Sequence, residues 1–489
     1  MTTSSPLPQR RLGVLAIAFM IIAASAPLTA IAGGAPTGFA VSGLTGVPAS
    51  YIVLAAVFAV FAFGYAAMAR HIENAGAFYA YVARGLGRPM GVGTAVSAVV
   101  AYACMQIGIF AMFGFSIADW LSSRFGITTP WWLWVLVGIV IVGALGLFRV
   151  DFSAKVIGVL VALEFLVVLV FDIIALTVAP EGYSLEPVNP ASLFTPGVGV
   201  LLAFGVAAFM GFESAAIYAN EAKDPRRTIA RATFLAVIVI GVFYAISAWS
   251  LTVAYGQSNI VEQSAELGPG LLFAFLGEHA ASILVDFANV LFITSLFAAL
   301  MSFHNAVSRY FSELGREEVL PKAFGRLNRS GSPVVGSLTQ SLLALLATIG
   351  FIIADTGDPL FPVLTMFTWL TNTGAFGLVL LMVLVAIAVI AFFRRDARGV
   401  GIWSRLVAPA ISGVALAVVF VLVLMNFDLM LGQEESNATT FILPALIIVP
   451  GIVGVLYTLW LRGARPERYA LIGAEMTPKT EVVGVDELS

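Results

Sequence analysis

The sequence predicts an all-α integral membrane protein of twelve transmembrane helices, and three observations predict it. The chain is 60% hydrophobic and only 11% charged, with a mean hydropathy of +0.99, well outside the range of ordinary soluble domains. Twelve apolar runs punctuate it, each long enough to cross a hydrocarbon core of about 30 Å as a helix of about 20 residues. Placed on those runs, all but one of the 25 Lys and Arg fall on the same side of the membrane.

The runs, spans 1 to 12 below, lie at about 12–33, 48–69, 92–118, 131–149, 154–178, 197–219, 232–255, 280–308, 334–354, 361–391, 405–427 and 440–462. One side then receives Arg10 and Arg11, Arg70 to Arg88, Arg149 with Lys155, and Lys223 to Arg231. It also receives Arg309 to Arg329, Arg394 to Arg405, and Arg462 to Lys479. The opposite side holds only Arg124, together with an acidic set that includes Glu181, Glu186, Glu262, Glu266, Asp355 and Asp358. The positive-inside rule makes the basic side cytoplasmic, with both termini inside. Such a chain is expected to be a multi-pass membrane protein. Basic residues beside spans are orientation signals and do not form a nucleic-acid surface.

Arg10 and Arg11, an apolar stretch and Ala24-Ser25-Ala26 have the outline of a signal peptide. Pro27 just beyond that cut, and the apolar run continuing past it, favour a retained helix. Cys104 is the only cysteine, so no intrachain disulfide or cysteine metal cluster is expected. No hydrophilic stretch is long enough for a soluble domain. The expected organisation is a cytoplasmic N-terminus at 1–11, membrane spans at 12–391 and 405–462, and a disordered cytoplasmic tail at 463–489, in a monomer or a homodimer.

Two spans are interrupted. Span 1 carries Ala24-Ser25-Ala26-Pro27, followed by Gly33, Gly34 and Pro36; Pro27 removes a backbone donor and clashes with the preceding turn. Span 6 carries Phe209-Met210-Gly211-Phe212, then Glu213. These spans lie five apart, and they are equivalent if 12–178 and 197–391 are inverted repeats. Paired Gly/Pro interruptions at matching positions point to a transporter's substrate site, because unwound backbone at that depth must line a cavity or be buried in protein. The alternative is close helix packing through small residues.

Four acids fall within spans: Glu164, Asp172, Glu213 and Asp286. Each costs at least about 2.5 kcal/mol at a helix centre unless it has a partner or a purpose. Glu213 is placed to contact substrate or a proton, or to hold the unwound segment in shape. Glu164, mid-span with no Lys or Arg one turn away, is the candidate for proton coupling; a structural hydrogen bond is its alternative. Asp172 lies near the outer end, where it is expected to reach water, and Asp286 near an outer vestibule. His304 is expected to pack near the inner surface. Gln106 in span 3 suits either a zwitterionic ligand or a helix–helix bond.

Three segments resemble the amino acid–polyamine–organocation superfamily of permeases, and the resemblance runs along nearly the whole chain. The first is Tyr65 to Gly87, with Arg70, Ala75-Gly76-Ala77-Phe78-Tyr79 and Arg84-Gly85-Leu86-Gly87. The second is Gly211-Phe212-Glu213-Ser214 followed by Asn220-Glu221 and Lys223-Asp224-Pro225. The third is Arg309-Tyr310 to Leu320-Pro321, ending at Ser332-Pro333. The resemblance implies the five-plus-five inverted repeat of the bacterial leucine transporter, with discontinuous helices 1 and 6. It implies a substrate held by backbone at Ala24-Ser25-Ala26-Pro27 and Phe209-Met210-Gly211-Phe212. It also aligns Gln106 with a substrate-facing polar position of the arginine–agmatine exchanger type. Ala24-Ser25-Ala26 stands where many members have a Gly-rich triplet, and Ala207 where relatives have an aromatic gate; Phe209 or Phe212 is the substitute gate. Glu164 falls where sodium-independent relatives often place a lysine, so it either carries a proton or recruits a cation with Ser302 and the Ala298 carbonyl.

The expected function is secondary active import of an amino acid or related small amine by alternating access. A proton is the expected coupling ion in preference to sodium, and no cofactor or bound metal is expected. An exchanger or polyamine carrier is the alternative within transport, and a substrate-binding membrane sensor the alternative outside it. A channel should show a repeated pore motif or charged rings, and neither is present. An enzyme is not expected, because His71, His279 and His304 are scattered.

Overall fold

The computed structural model describes residues 12–72, 77–148, 154–213, 222–328, 330–433 and 435–473. Eleven of its helices are long and apolar enough to cross a membrane, and a twelfth apolar helix, Val198–Phe209, is shorter. That short helix is the predicted span 6. It stops where the chain unwinds, and residues 214–221 beyond the break lie outside the described residues. The fold is the predicted one, all-helical with twelve spans, and several boundaries move outward. Span 3 runs Arg88–Phe125, span 8 Ser282–Arg316 and span 7 Pro225–Tyr255, because polar turns at their ends continue the helix into the interface.

Span 3 is the axis of the bundle. Its most apolar window is 89% buried, against 33% for spans 11 and 12, so its neighbours surround it. Small residues permit the approach. A Cβ on Gly108 would stand 2.7 Å from Thr371 of span 10, and one on Gly93 would stand 2.7 Å from the Gly451 carbonyl of span 12. Span 12 is further tied to the axis by the Ser97 hydroxyl, which donates to the Ile447 carbonyl at 3.0 Å. Span 11 closes on span 6 at Gly199, where an added Cβ would lie 2.1 Å from the Leu422 carbonyl.

Groups assigned to one side by charge meet only at one end. The single outer cation, Arg124, pairs with Asp286 at 2.9 Å, and Trp131 donates to Asp355 at 2.9 Å. Between spans 7 and 8 the same end carries two surface helices, Ile260–Leu267 and Leu271–His279. Asp172 is a correction: it is buried rather than open to water, and accepts from the Ser247 hydroxyl at 2.8 Å. His304 packs as expected, its Nε2 2.7 Å from the Ser337 hydroxyl.

At the opposite end the tail differs from its expectation. Residues Pro466–Leu471 form a helix, and the chain docks as far as Gly473; 474–489 lie outside the described residues. Arg88 donates to the carbonyls of Ile472 (2.8 Å) and Ala470 (3.2 Å), and Arg468 meets Glu318 at 3.3 Å. Glu317 accepts from the Tyr79 hydroxyl and from the Gly473 N–H. Burial raises the Glu317 carboxyl above its ordinary 4.5, although both hydrogen bonds pull it down. Glu317→Ala removes both of these acceptors, so proteolytic nicking near residue 465 should increase in that variant; nicking unchanged from the wild type would rule Glu317 out as a residue that holds the tail.

Candidate substrate site

The two predicted breaks form and abut. Span 1 is helical over Val14–Ala24, turns through Ser25 and Ala26, and resumes as a π-helical stretch Thr29–Gly34 leading into Ala35–Ser42. Ala26 takes φ +46, a left-handed conformation that costs an L-residue about 1–2 kcal/mol. Span 6 ends at Phe209, and Gly211 takes φ +113. A Cβ there would lie 2.8 Å from the Ala24 carbonyl oxygen, so only glycine lets the two unwound segments touch.

Each break is pinned by a carboxylate that accepts a freed N–H and a tyrosine that donates to a freed carbonyl. At span 1, Glu164 of span 5 accepts the Leu28 N–H at 3.1 Å, and Tyr244 of span 7 donates to the Ser25 carbonyl at 3.1 Å. At span 6, Glu213 accepts the Gly211 N–H at 2.9 Å, and Tyr65 donates to the Glu213 carbonyl at 2.8 Å. Tyr102 of span 3 also donates to the Glu213 carboxylate at 2.6 Å. These pairings satisfy backbone groups that lipid cannot, and they occupy both acids. The tyrosines were missed from sequence. Their signal was available, since a buried Tyr hydroxyl nearly always finds a partner.

Beside the breaks lies a cavity of about 50 Å³. Ala24, Ser25, Ala26 and Met210 line it from the interrupted segments. Phe204, Ala207, Phe303 and Phe367 supply most of the apolar wall, and Thr29 and Thr371 add hydroxyls. Among the described residues no charged side chain lines it.

Other predicted residues fall elsewhere. Gln106 is buried but spent on helix contacts: it donates to the Leu300 carbonyl at 3.1 Å and accepts from Gln340 at 2.6 Å. Its neighbours Met105 and Ile109 face the cavity instead. Phe209 and Phe212 join an aromatic core with Phe58, each with a ring-centroid distance of 5.2 Å, and do not line the cavity. Pro27 is buried and is not among its lining residues. Ala298 and Ser302 are exposed on span 8; the residue that meets Glu164 is Ser295, whose hydroxyl donates at 2.9 Å and accepts from Thr29 at 3.2 Å. Both Ser295 and Leu28 direct donors at one carboxylate oxygen, an arrangement that competes with a bound cation. Among the described residues no group of three or more His, Cys, Asp or Glu could hold a metal ion.

Known proteins agree with this geometry at the level of family and fold. The amino acid permease family model matches residues 12–453. The branched-chain amino acid permease BcaP of Lactococcus lactis subsp. cremoris is 26% identical over 317 residues, 61% of this chain and 67% of that protein. A D-serine/D-alanine/glycine transporter of Escherichia coli O6:H1 is 27% identical over 54% of each chain. The lysine-specific permease of Saccharomyces cerevisiae is 28% identical over 38% of this chain and 30% of that protein. The chain thus spans about two thirds of the first of these relatives and about half or less of the others. Among solved structures, a manganese transporter of Eremococcus coleocola superposes with a TM-score of 0.56 at 15% identity, covering 94% of this chain and 98% of that one. That likeness concerns the fold.

Proposed function

The chain belongs to the amino acid permease family, and on that premise we propose that it imports a small or medium-sized apolar amino acid by proton-coupled alternating access. The observation that carries the reading is the uncharged cavity set between two unwound helices. Half-helix N-termini favour the substrate carboxylate, and unwound carbonyls favour its ammonium group. The side chain then meets Phe204, Ile109, Phe303 and Phe367. A second ammonium, as in lysine or a polyamine, finds no carboxylate in that wall, because Glu164 and Glu213 are turned to the backbone. The similarity to a branched-chain permease fits this preference.

A cavity of about 50 Å³ falls well short of the roughly 300–1,000 Å³ of a pocket that holds a small-molecule ligand. Loading an amino acid therefore requires the halves of spans 1 and 6 to part, which is a change of access. Glu164 links the second half of span 1 to span 8 through Leu28 and Ser295. Protonating it removes the charge that strengthens both bonds, so a proton there loosens the contact that must open. The basic end of the bundle faces the cytoplasm of a bacterial cell under the positive-inside rule.

The test is uptake into proteoliposomes of leucine, valine, alanine, lysine and putrescine, under an inward proton gradient, an inward sodium gradient, or neither. Leucine or valine accumulating with protons alone is the expected result. Lysine or putrescine as the preferred substrate would overturn the apolar assignment. Uptake only into vesicles preloaded with substrate would make the protein an exchanger.

A further inference from the structure

At the basic end, away from the substrate cavity, lies a second and much larger cavity of about 890 Å³. Span 2 closes it on one side with Arg70 and His71, span 7 on another with Arg227 and Arg231, and the connection between spans 10 and 11 contributes Arg398. Among the described residues no acidic side chain lines it. Arg70 already has a partner within the protein, while Asp224 meets Arg227 at 3.9 Å and Asp396 meets Arg398 at 3.6 Å, both acids being more than half exposed, which leaves Arg227, Arg231 and Arg398 as the phosphate-facing set.

The other half of the cavity is apolar. Phe63 of span 2 packs edge-on to Phe234 of span 7 at 4.4 Å and to Trp403 of span 11 at 5.9 Å. Ala66, Ala67 and Ala230 leave the floor open in front of those rings. Trp403 is itself 45% exposed, the placement expected of a residue at the membrane–water boundary. Basic residues on one side and an aromatic floor on the other suit a molecule that carries phosphate at one end and hydrocarbon at the other.

We propose that this cavity binds the phosphate headgroup of an anionic phospholipid of the cytoplasmic leaflet, with the arginines on the phosphate and the first methylenes on Phe63 and Phe234. Guanidinium groups recognise phosphate oxygens in pairs, and basic pockets between spans on this side are suited to anionic headgroups. The bound lipid bridges spans 2 and 7 to the 10–11 connection. The site is independent of the substrate reading above.

The experiment is native mass spectrometry of the delipidated full-length protein titrated with phosphatidylglycerol, with phosphatidylcholine and with inorganic phosphate. Retention of phosphatidylglycerol over phosphatidylcholine is expected. Each of Arg231→Gln and Arg398→Gln should weaken that binding about fivefold, with Arg231→Lys intermediate. Ala230→Phe, which fills the apolar half, should weaken lipid binding while leaving any binding of inorganic phosphate intact. Equal retention of the two lipids, or binding unchanged in both Arg variants, would overturn the proposal. Tight binding of inorganic phosphate without binding of phosphatidylglycerol would overturn the lipid as its occupant. Size-exclusion profiles matching the wild type keep a folding failure from being mistaken for lost binding.

Discussion

Gly211→Val is expected to reduce transport by about 100-fold or more while leaving the protein in the membrane. Two costs combine at that residue. A branched L-residue at φ +113 is strained, by about 1–3 kcal/mol. The new Cβ also meets the Ala24 backbone at 2.8–2.9 Å, and neither atom can yield without moving span 1. A similar overpacking cost brings the total to about 3 kcal/mol or more, which is about 100-fold. The measurement is initial-rate uptake normalised to protein inserted. A glycine outside any close approach, Gly350 in span 9, has nothing within 4 Å of an added Cβ, so Gly350→Ala is the matched control. If Gly211→Val transported like that control, the two breaks would not have to touch during the cycle.

The second large effect is expected at Glu164. Glu164→Gln keeps an oxygen for the Leu28 N–H but cannot exchange a proton. Gradient-driven accumulation should fall to passive equilibration, and the pH dependence of uptake should flatten, while exchange of labelled for unlabelled substrate persists. Glu164→Ala should abolish both activities. It leaves the Leu28 N–H buried and unpaired beside Ser295, at about 1–3 kcal/mol. Glu213→Gln makes the contrast: its carboxylate serves the Gly211 N–H and the Tyr102 hydroxyl, so that variant should lose rate yet keep its pH dependence. A pH profile unchanged in Glu164→Gln would remove Glu164 from coupling, and a profile flattened only in Glu213→Gln would transfer the role.

These two acids also show how far a sequence can be read. Both were legible as buried carboxylates needing a purpose, because a charge inside an apolar run is a local fact. Their partners were not. Glu164 meets Leu28 across 136 residues of sequence and Ser295 across 131. The sequence offered Ala298 and Ser302 on the same helix as plausible partners. Ser302 lies two turns beyond Ser295, about 10 Å along the axis, and its side chain is exposed. Gln106 failed for a related reason. A deep amide in span 3 serves a ligand or another helix equally well, and only the approach of Leu300 and Gln340 decided for the helix.

The cavity wall was hidden more completely. Phe204, Phe303 and Phe367 look like any other aromatics in apolar runs, since in lipid-facing helices hydrophobicity does not distinguish inside from outside. Phe209 and Phe212, more prominent because they flank the break, turn into the core against Phe58.

By itself the sequence determined the class, the number of spans and the location of both helix breaks. Each follows from the chemistry of a short window: the cost of placing charge or unpaired backbone in hydrocarbon, the missing N–H of Pro27, and the freedom of Gly211. Only the tertiary structure decided which side chains face the cavity, which tyrosines and acids hold the breaks, and that the tail docks through Arg88 and Glu317. Those depend on the rotation and register of helices distant in sequence, and these are set by how small residues let them pack.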